Sequence, residues 1–352
     1  MSETTAQMNS QSPDPSSGQS SGESPSQSRW RGINLHVLGP LLALVLLIAL
    51  GAWLNSNFLS YGNVTNVLAR SAFIGIIAVG MTFVITAGGI DLSVGSMAAF
   101  VAGVMILAMN AMIPALGIGV PLVLAGMAVA LVVGLAAGLI NGALIAKVRI
   151  EAFIVTLGTM GIYRSLVTWI ADGGTLSLNY DARTFYRPVY YDGIFGVAWP
   201  IIVFALVAIA GEVLMRRTAF GRHCAALGAN EQVARYSAVN VDRVRMATYV
   251  LLGVLVGIAT IMYVPRLGSA SSSTGVLWEL EAIAAVIIGG TVLKGGFGRV
   301  WGTVVGVLIL SLIGNILNLA SMVSPYLNGA IQGVIVILAV VLQRENKPAS
   351  GR

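Results

Sequence analysis

Apolar residues run through most of this chain in long blocks, and polar residues collect in the gaps between them. A membrane-spanning helix takes roughly 20 apolar residues. Residues 32–69 contain no Asp, Glu, Lys or Arg, and neither do residues 92–146. The second stretch is too long for one helix, and Pro114 and Pro121 with Gly117 and Gly119 predict a turn inside it. The pattern predicts spans over 37–54, 64–86, 93–110, 119–142, 151–171, 194–215, 245–264, 279–293, 301–319 and 326–342. The eighth of these ten is short, as a broken or re-entrant segment is. The fold class is all-α, a polytopic bundle.

Charge tests the count. Loops on the cytoplasmic side of a membrane carry the excess of Lys and Arg. With the N-terminus on that side, fifteen of the twenty basic residues fall inside, notably Lys147, Arg149, Arg216, Arg217, Arg222, Arg235, Arg243, Arg245, Lys294 and Arg299. Arg183, Arg187 and Arg266 fall in outer loops, and Arg70 and Arg164 within spans. This asymmetry predicts both termini on the cytoplasmic side. It also gives the net charge of +6 a membrane origin and makes a nucleic-acid partner unnecessary.

Composition agrees. The chain is 57% hydrophobic and 10% charged, with a mean hydropathy of +0.87; a soluble protein carries roughly 25% charged residues. Residues 1–28 stand apart as a predicted disordered tail: ten of them are Ser, among Pro, Gly and Gln, a composition that cannot bury a core. It lacks the apolar stretch of a signal peptide. Cys224 is alone, His36 and His223 are far apart, and no metal-ligand spacing, phosphate loop, dinucleotide fingerprint or catalytic triad order is present.

Candidate chemistry is therefore sparse and easily named. In TAGGIDLSVGS, Asp91 lies between two apolar blocks, flanked by Gly88, Gly89 and Ser93. An acid at a bilayer centre costs roughly 2.5–3.5 kcal/mol. Two readings coexist: Asp91 caps the following helix in a cytoplasmic turn, or Gly88 and Gly89 break the helix inside the membrane and Asp91 and Ser93 line a polar pathway. Glu279 and Glu281 open the eighth span, either as acids favoured at a helix N-terminus or on a pathway facing Arg70 or Arg164. Arg164 is thirteen residues beyond Glu151, about 20 Å along a helix, deep enough to need a partner. The largest polar loop on the cytoplasmic side is 216–244; there Gly228 sets a turn, Asn230 caps a short helix, Glu231 starts it, and Arg235 follows one turn later. That helix is either a solvated surface element or a docking element. Gly-Gly before the spans at 93 and 301 also hints at an internal repeat.

GMTFVIT followed by GGIDLSVGS, then FGRHCAALGANEQVARYSAVNVDRVRMATY, then ELEAIAAVIIGGTVLKGGFGRVWGT closely resemble, in that order, the permeases of ribose-type ATP-binding-cassette sugar importers. The resemblance covers about residues 38–342. One departure is Ala238: the chain reads SAVNV where the family pattern is SGINV, which bears on the backbone turn after the coupling helix. The resemblance implies a permease domain over 29–345, with short tails at 1–28 and 346–352. It implies a multi-pass protein of the bacterial inner membrane that imports a monosaccharide. The expected partners are an ATP-binding-cassette ATPase in the cytoplasm, a periplasmic sugar-binding protein and a second permease subunit. ATP and Mg belong to the ATPase, so this chain binds no cofactor and is not an enzyme by itself. The translocation pathway is expected at Gly88, Gly89, Asp91, Ser93, Arg164 and Glu279, and ATPase coupling at Gly228, Asn230, Glu231, Ala234, Arg235 and Asn240. A self-powered secondary transporter is the rival; it needs several membrane acids. A membrane scaffold would need no Gly-broken spans.

Overall fold

The computed structural model describes residues 35–319 and, beyond them, Leu327, Ala330, Ile331, Gly333, Val334 and Ile337. The tail at 1–28, most of the span at 326–342 and the segment at 346–352 lie outside the described residues. Thirteen helices are described: α1 Leu35–Leu54, α2 Tyr61–Thr86, α3 Val94–Leu116, α4 Val120–Ala146, α5 Ala152–Ile170, α6 Tyr180–Tyr186, α7 Pro188–Tyr191, α8 Trp199–Arg217, α9 Ala219–Ala229, α10 Glu231–Tyr236, α11 Val241–Leu267, α12 Trp278–Ile288 and α13 Val300–Leu319. Short strands join them, β1 Thr175–Ser177, β2 Gly193–Ile194, β3 Val197–Ala198 and β4 Ser269–Ser271, with β1 antiparallel to β4 and β2 antiparallel to β3. Seven helices, α2, α3, α4, α5, α8, α11 and α13, are long and apolar enough to cross a membrane.

The core is α2. From Ser71 to Thr86 every residue except Ile74 is buried, because the sequence there is apolar or small on all sides. Against it lies α11, also largely buried, and against α11 lies α4. The α4–α11 contact is made by backbone. Gly134, Gly138 and Gly142 recur every fourth residue of α4; the first two face Gly253 and Gly257 of α11, and Gly142 faces Met246. A Cβ on Gly134 would strike the Gly253 carbonyl oxygen, and one on Gly138 would strike that of Tyr249. Small residues at this spacing let two membrane helices approach until main chain meets main chain.

The chain's course fixes the two ends. At one end, the start of α2 receives Tyr61 Oη donating to the Gly196 carbonyl at 2.5 Å, and Asn63 and Asn315 exchange side-chain hydrogen bonds at 2.8 and 3.0 Å. At the other end, α2 stops beside α9.

Two expectations change. Residues 194–198 are not helical: Phe195 and Gly196 have φ of 52° and 80°, a hairpin turn between β2 and β3, so α8 begins at Trp199. Pro114 does not end α3; it lies in the last turn, and the helix stops at Gly117, whose φ is 66°. The eighth predicted span is short as expected: α12 ends at Ile288, and residues 272–277 ahead of it are not helical.

The packing predicts a contrast between two glycines. Gly138→Leu destabilises the protein by about 1–3 kcal/mol through overpacking, whereas Gly158→Leu on α5, where a Cβ meets open space, leaves the midpoint unchanged. Thermal unfolding in detergent checks both.

Candidate functional site: the coupling junction and the broken spans

Between α8 and α11 the chain builds a polar shelf. Asn230 Oδ1 accepts from the Val233 amide at 3.1 Å, capping α10, and Asn240 Oδ1 accepts from the Arg243 amide at 3.1 Å, capping α11. Both are Asx caps that satisfy otherwise orphaned amides. Glu231 is the tie between these two helices: it accepts from Arg235 at 2.8 Å and from Arg245 at 2.5 Å, and Arg235 also reaches Asp242 at 3.2 Å. These two arginines hold the Glu231 carboxyl below its ordinary value, the hydrogen bond from Arg235 being the larger cause. Ala234 anchors α10 at 2% exposure, while Val233 at 58% and Tyr236 at 90% face outward.

The end of α10 is a Schellman cap. Ala238 N donates to Arg235 O and Val239 N to Ala234 O, both at 3.1 Å, and Ala238 has φ of 60°. This is the left-handed position that favours glycine. The alanine noted in SAVNV therefore occupies a strained site.

Gly228 is not in a turn. It lies in the last turn of α9, and its role is contact: a Cβ there would strike the Thr86 carbonyl oxygen and the Gly296 nitrogen. Gly296 N donates to that same Thr86 carbonyl at 2.9 Å. Gly88 and Gly295 close the group, each packed against the Gly228 backbone. The end of α2, the end of α9 and the loop between α12 and α13 thus meet main chain to main chain.

The two helices entering this junction end alike. Gly88 N donates to Ile85 O and Gly89 N to Val84 O, both at 2.9 Å; Gly290 N donates to Ile287 O at 2.9 Å and Thr291 N to Val286 O at 3.2 Å. Gly88 and Gly290 have φ of 81° and 87°. The repeat hinted at in the sequence therefore aligns Gly88 with Gly290 and Gly89 with Thr291, and not with the Gly-Gly pair directly before α13.

From Gly89 the chain turns back into the bundle. Asp91 is 1% exposed, and its Oδ1 accepts from the Ser93 amide at 2.8 Å and the Ser93 hydroxyl at 2.6 Å. Asn141 on α4 donates to Asp91 Oδ2 at 3.2 Å and to Ser93 Oγ at 3.0 Å, and Tyr249 on α11 donates to the Ile90 carbonyl at 3.2 Å. Asp91 is thus a turn lock pinned to α4 rather than the helix cap; the cap position of α3 is Ser93, which makes no side-chain cap bond. Two residues on, Gly95 packs against the Gly275 carbonyl and the Glu279 carboxylate, leaving no room for a Cβ.

There the second group of predicted residues joins the first. Arg164 on α5 donates to the carbonyls of Ser272 and Thr274, each at 2.6 Å, and Glu279 lies within its electrostatic reach. The partner that a deep arginine requires is mainly the freed backbone of the broken span, since carbonyls outside a helix need donors at membrane depth. Asn141, Tyr249, Gly95, Thr86 and Gly296 were not singled out from sequence. The fourfold glycine spacing around Asn141 was the available signal, because it marks the face of α4 that meets α11.

Residues 63–340 match the family described as branched-chain amino acid transport system / permease component. The ribose import permease protein of Bacillus subtilis is 39% identical over 315 residues, covering 88% of this chain and 92% of that protein. The ribose import permease protein of Escherichia coli is 37% identical over 314 residues, covering 87% and 93%. The xylose transport system permease protein of Escherichia coli is 32% identical over 382 residues, covering 92% and 95%.

The strained cap predicts a gain. Ala238→Gly removes a left-handed alanine and stabilises the α10–α11 turn by about 1 kcal/mol. Slower amide hydrogen exchange at Val239 and a raised unfolding midpoint check it.

Proposed function

The chain belongs to the family of branched-chain amino acid transport system permease components, and from that premise we propose that it is the membrane subunit of an ATP-driven importer of a monosaccharide, pentose or hexose. The family description names amino acids; the sugar rests on the individual relatives, which are named for ribose import and xylose transport.

The observation that carries the reading is the glycine junction beneath α9 and α10. Val233 and Tyr236 stand exposed on the short helix, and an exposed tyrosine suits the anchor of a protein contact. A cytoplasmic ATP-binding-cassette ATPase docks on this face, through the segment that holds Gly228, Asn230, Glu231, Ala234, Arg235 and Asn240. Glu231, Arg235, Arg245 and the two Asn caps keep the docking helix rigid. Movement of α9 then passes to Thr86 and Gly296 without slack, because nothing but backbone lies between. It reaches the interior through the Asp91 lock and through α12, the two ends of the broken spans. Gly88, Gly89, Asp91, Ser93, Arg164 and Glu279 accordingly stand where moving helices meet, and the polar backbone they hold together borders the pathway.

The remaining parts follow from charge and kinship. The basic α9–α10 end faces the cytoplasm, with ten spans and both termini there. The opposite end, with β1–β4 and the β2–β3 hairpin, receives sugar from a periplasmic binding protein. A second permease subunit completes the pathway in a bacterial inner membrane. ATP and Mg are used on the ATPase, and this chain carries out no chemistry on the sugar.

Docking and transmission separate under mutation. Tyr236→Ala lowers co-purification of the ATPase at least tenfold. Gly228→Val leaves the ATPase bound but cuts sugar uptake at least tenfold, since its side chain wedges α9 off Thr86. Pull-down from detergent extracts and uptake by cells at matched membrane abundance measure the two effects. Wild-type behaviour of both variants sinks the coupling role.

A further inference from the structure

A cavity of about 430 Å³ opens between the first half of α2, the end of α11, the start of α12 and the second half of α13. This falls within the roughly 300–1,000 Å³ typical of small-molecule sites. It lies at the end of the bundle opposite α9 and α10.

Its lining is not that of a lipid-filled crevice. Arg70, Arg266 and Glu281 enter it from three helices. Arg70 lies in the tenth position of α2, about 13 Å from the start of that helix at 1.5 Å per residue. It is exposed where the residues on either side of it are buried, so its guanidinium occupies the cavity. A charge at such depth is tolerated where it faces water or a polar ligand. Glu281 attracts Arg70 across the cavity, while Arg266 brings a second positive charge to the same space.

One wall is aromatic and rigid. Phe73 and Trp278 stack with centroids 6.4 Å apart at 14°, and Tyr263 packs edge-on to both, at 5.6 Å from Phe73 and 5.2 Å from Trp278. Backbone strain sits beside it: Leu277 has φ of 69° and lines the cavity. A left-handed leucine persists only where its surroundings hold it, and such positions cluster at ligand clamps and moving segments.

Donors on two arginines, a carboxylate on Glu281 and an aromatic face together match a neutral ring bearing many hydroxyls. An apolar ligand has no use for the charges, and an anion meets Glu281. We propose that this cavity is a saccharide-binding site in which one monosaccharide ring stacks on Trp278 and hydrogen-bonds to Arg70, Arg266 and Glu281 before α12 moves. The proposal rests on the importer reading and adds the place where the sugar is held.

Two measurements test it, with D-ribose and D-xylose as probes. In cells carrying the full transporter, Arg70→Gln, Glu281→Gln and Trp278→Ala each cut uptake at least tenfold, Trp278→Phe retains at least a third, and ATPase co-purification stays within twofold of wild type. In the purified permease–ATPase complex, Val276→Cys, on the cavity wall, is labelled by a water-soluble maleimide, and a saturating sugar slows that labelling at least threefold; native Cys224 is fully buried and stays silent. Uptake within twofold of wild type in all three variants overturns the site while leaving the importer reading intact. Labelling that sugar does not slow overturns it as well, and so does labelling absent under all conditions, since protein then fills the cavity. If the wild-type transporter moves neither these sugars nor any other pentose or hexose, the importer reading fails and the site falls with it.

Discussion

At Thr86 three segments distant in sequence come so close that only hydrogen fits between them. The Thr86 carbonyl accepts from Gly296, and Gly228 presses its Cα against the same peptide. Gly228 is helical and is required by space, its value lying in the missing Cβ, whereas Gly296 has φ of 86° and is required by its backbone conformation. A side chain at this point would introduce rotamers and slack between α9 and α2. Main chain against main chain has neither, because packed interiors pass displacement on rather than absorb it. The shelf formed by α9 and α10 and the helices behind it are therefore one mechanical piece.

The few charges in the apolar region follow from this arrangement. Two described helices, α2 and α12, stop at this junction, each on a Schellman cap with glycine at the left-handed position, and the non-helical stretches at 87–93 and 272–277 carry backbone groups that hydrocarbon cannot solvate. Asp91, with Ser93 and Asn141, fixes the chain after the first stop; Arg164 supplies donors to the carbonyls ahead of α12. The cost of burying these groups is offset locally by hydrogen bonds. Gly95, wedged between the Gly275 carbonyl and the Glu279 carboxylate, joins the two regions.

Much of this was legible in the sequence. The apolar blocks predicted every long helix among the described residues, because a span must be apolar over its whole length. Asn230, Asn240 and the Glu231–Arg235 pair were readable because caps and i,i+4 pairs are local. The hairpin at 193–198 was hidden, since Gly-Ile-Phe-Gly-Val reads as apolar continuity while its fold depends on two positive φ values. Gly228 was singled out for the wrong reason: a glycine needed for contact looks the same in sequence as one needed for a turn. The partner of Arg164 was unreadable because it is backbone, which leaves no mark in side-chain identity.

The central claim is that α9 and the loop between α12 and α13 move as one body through the ATPase cycle while the far end of the bundle moves relative to them. Spin labels at Arg222→Cys on α9, at Lys294→Cys in that loop and at Phe195→Cys on the hairpin, all exposed positions, report it in the assembled transporter by pulsed distance measurements, taken pairwise. The account predicts that between the nucleotide-free and ATP-bound states the Arg222–Lys294 distance stays constant while the Arg222–Phe195 distance shifts. A change in the Arg222–Lys294 distance as large as the change to Phe195 would show that the junction slips, and would contradict it.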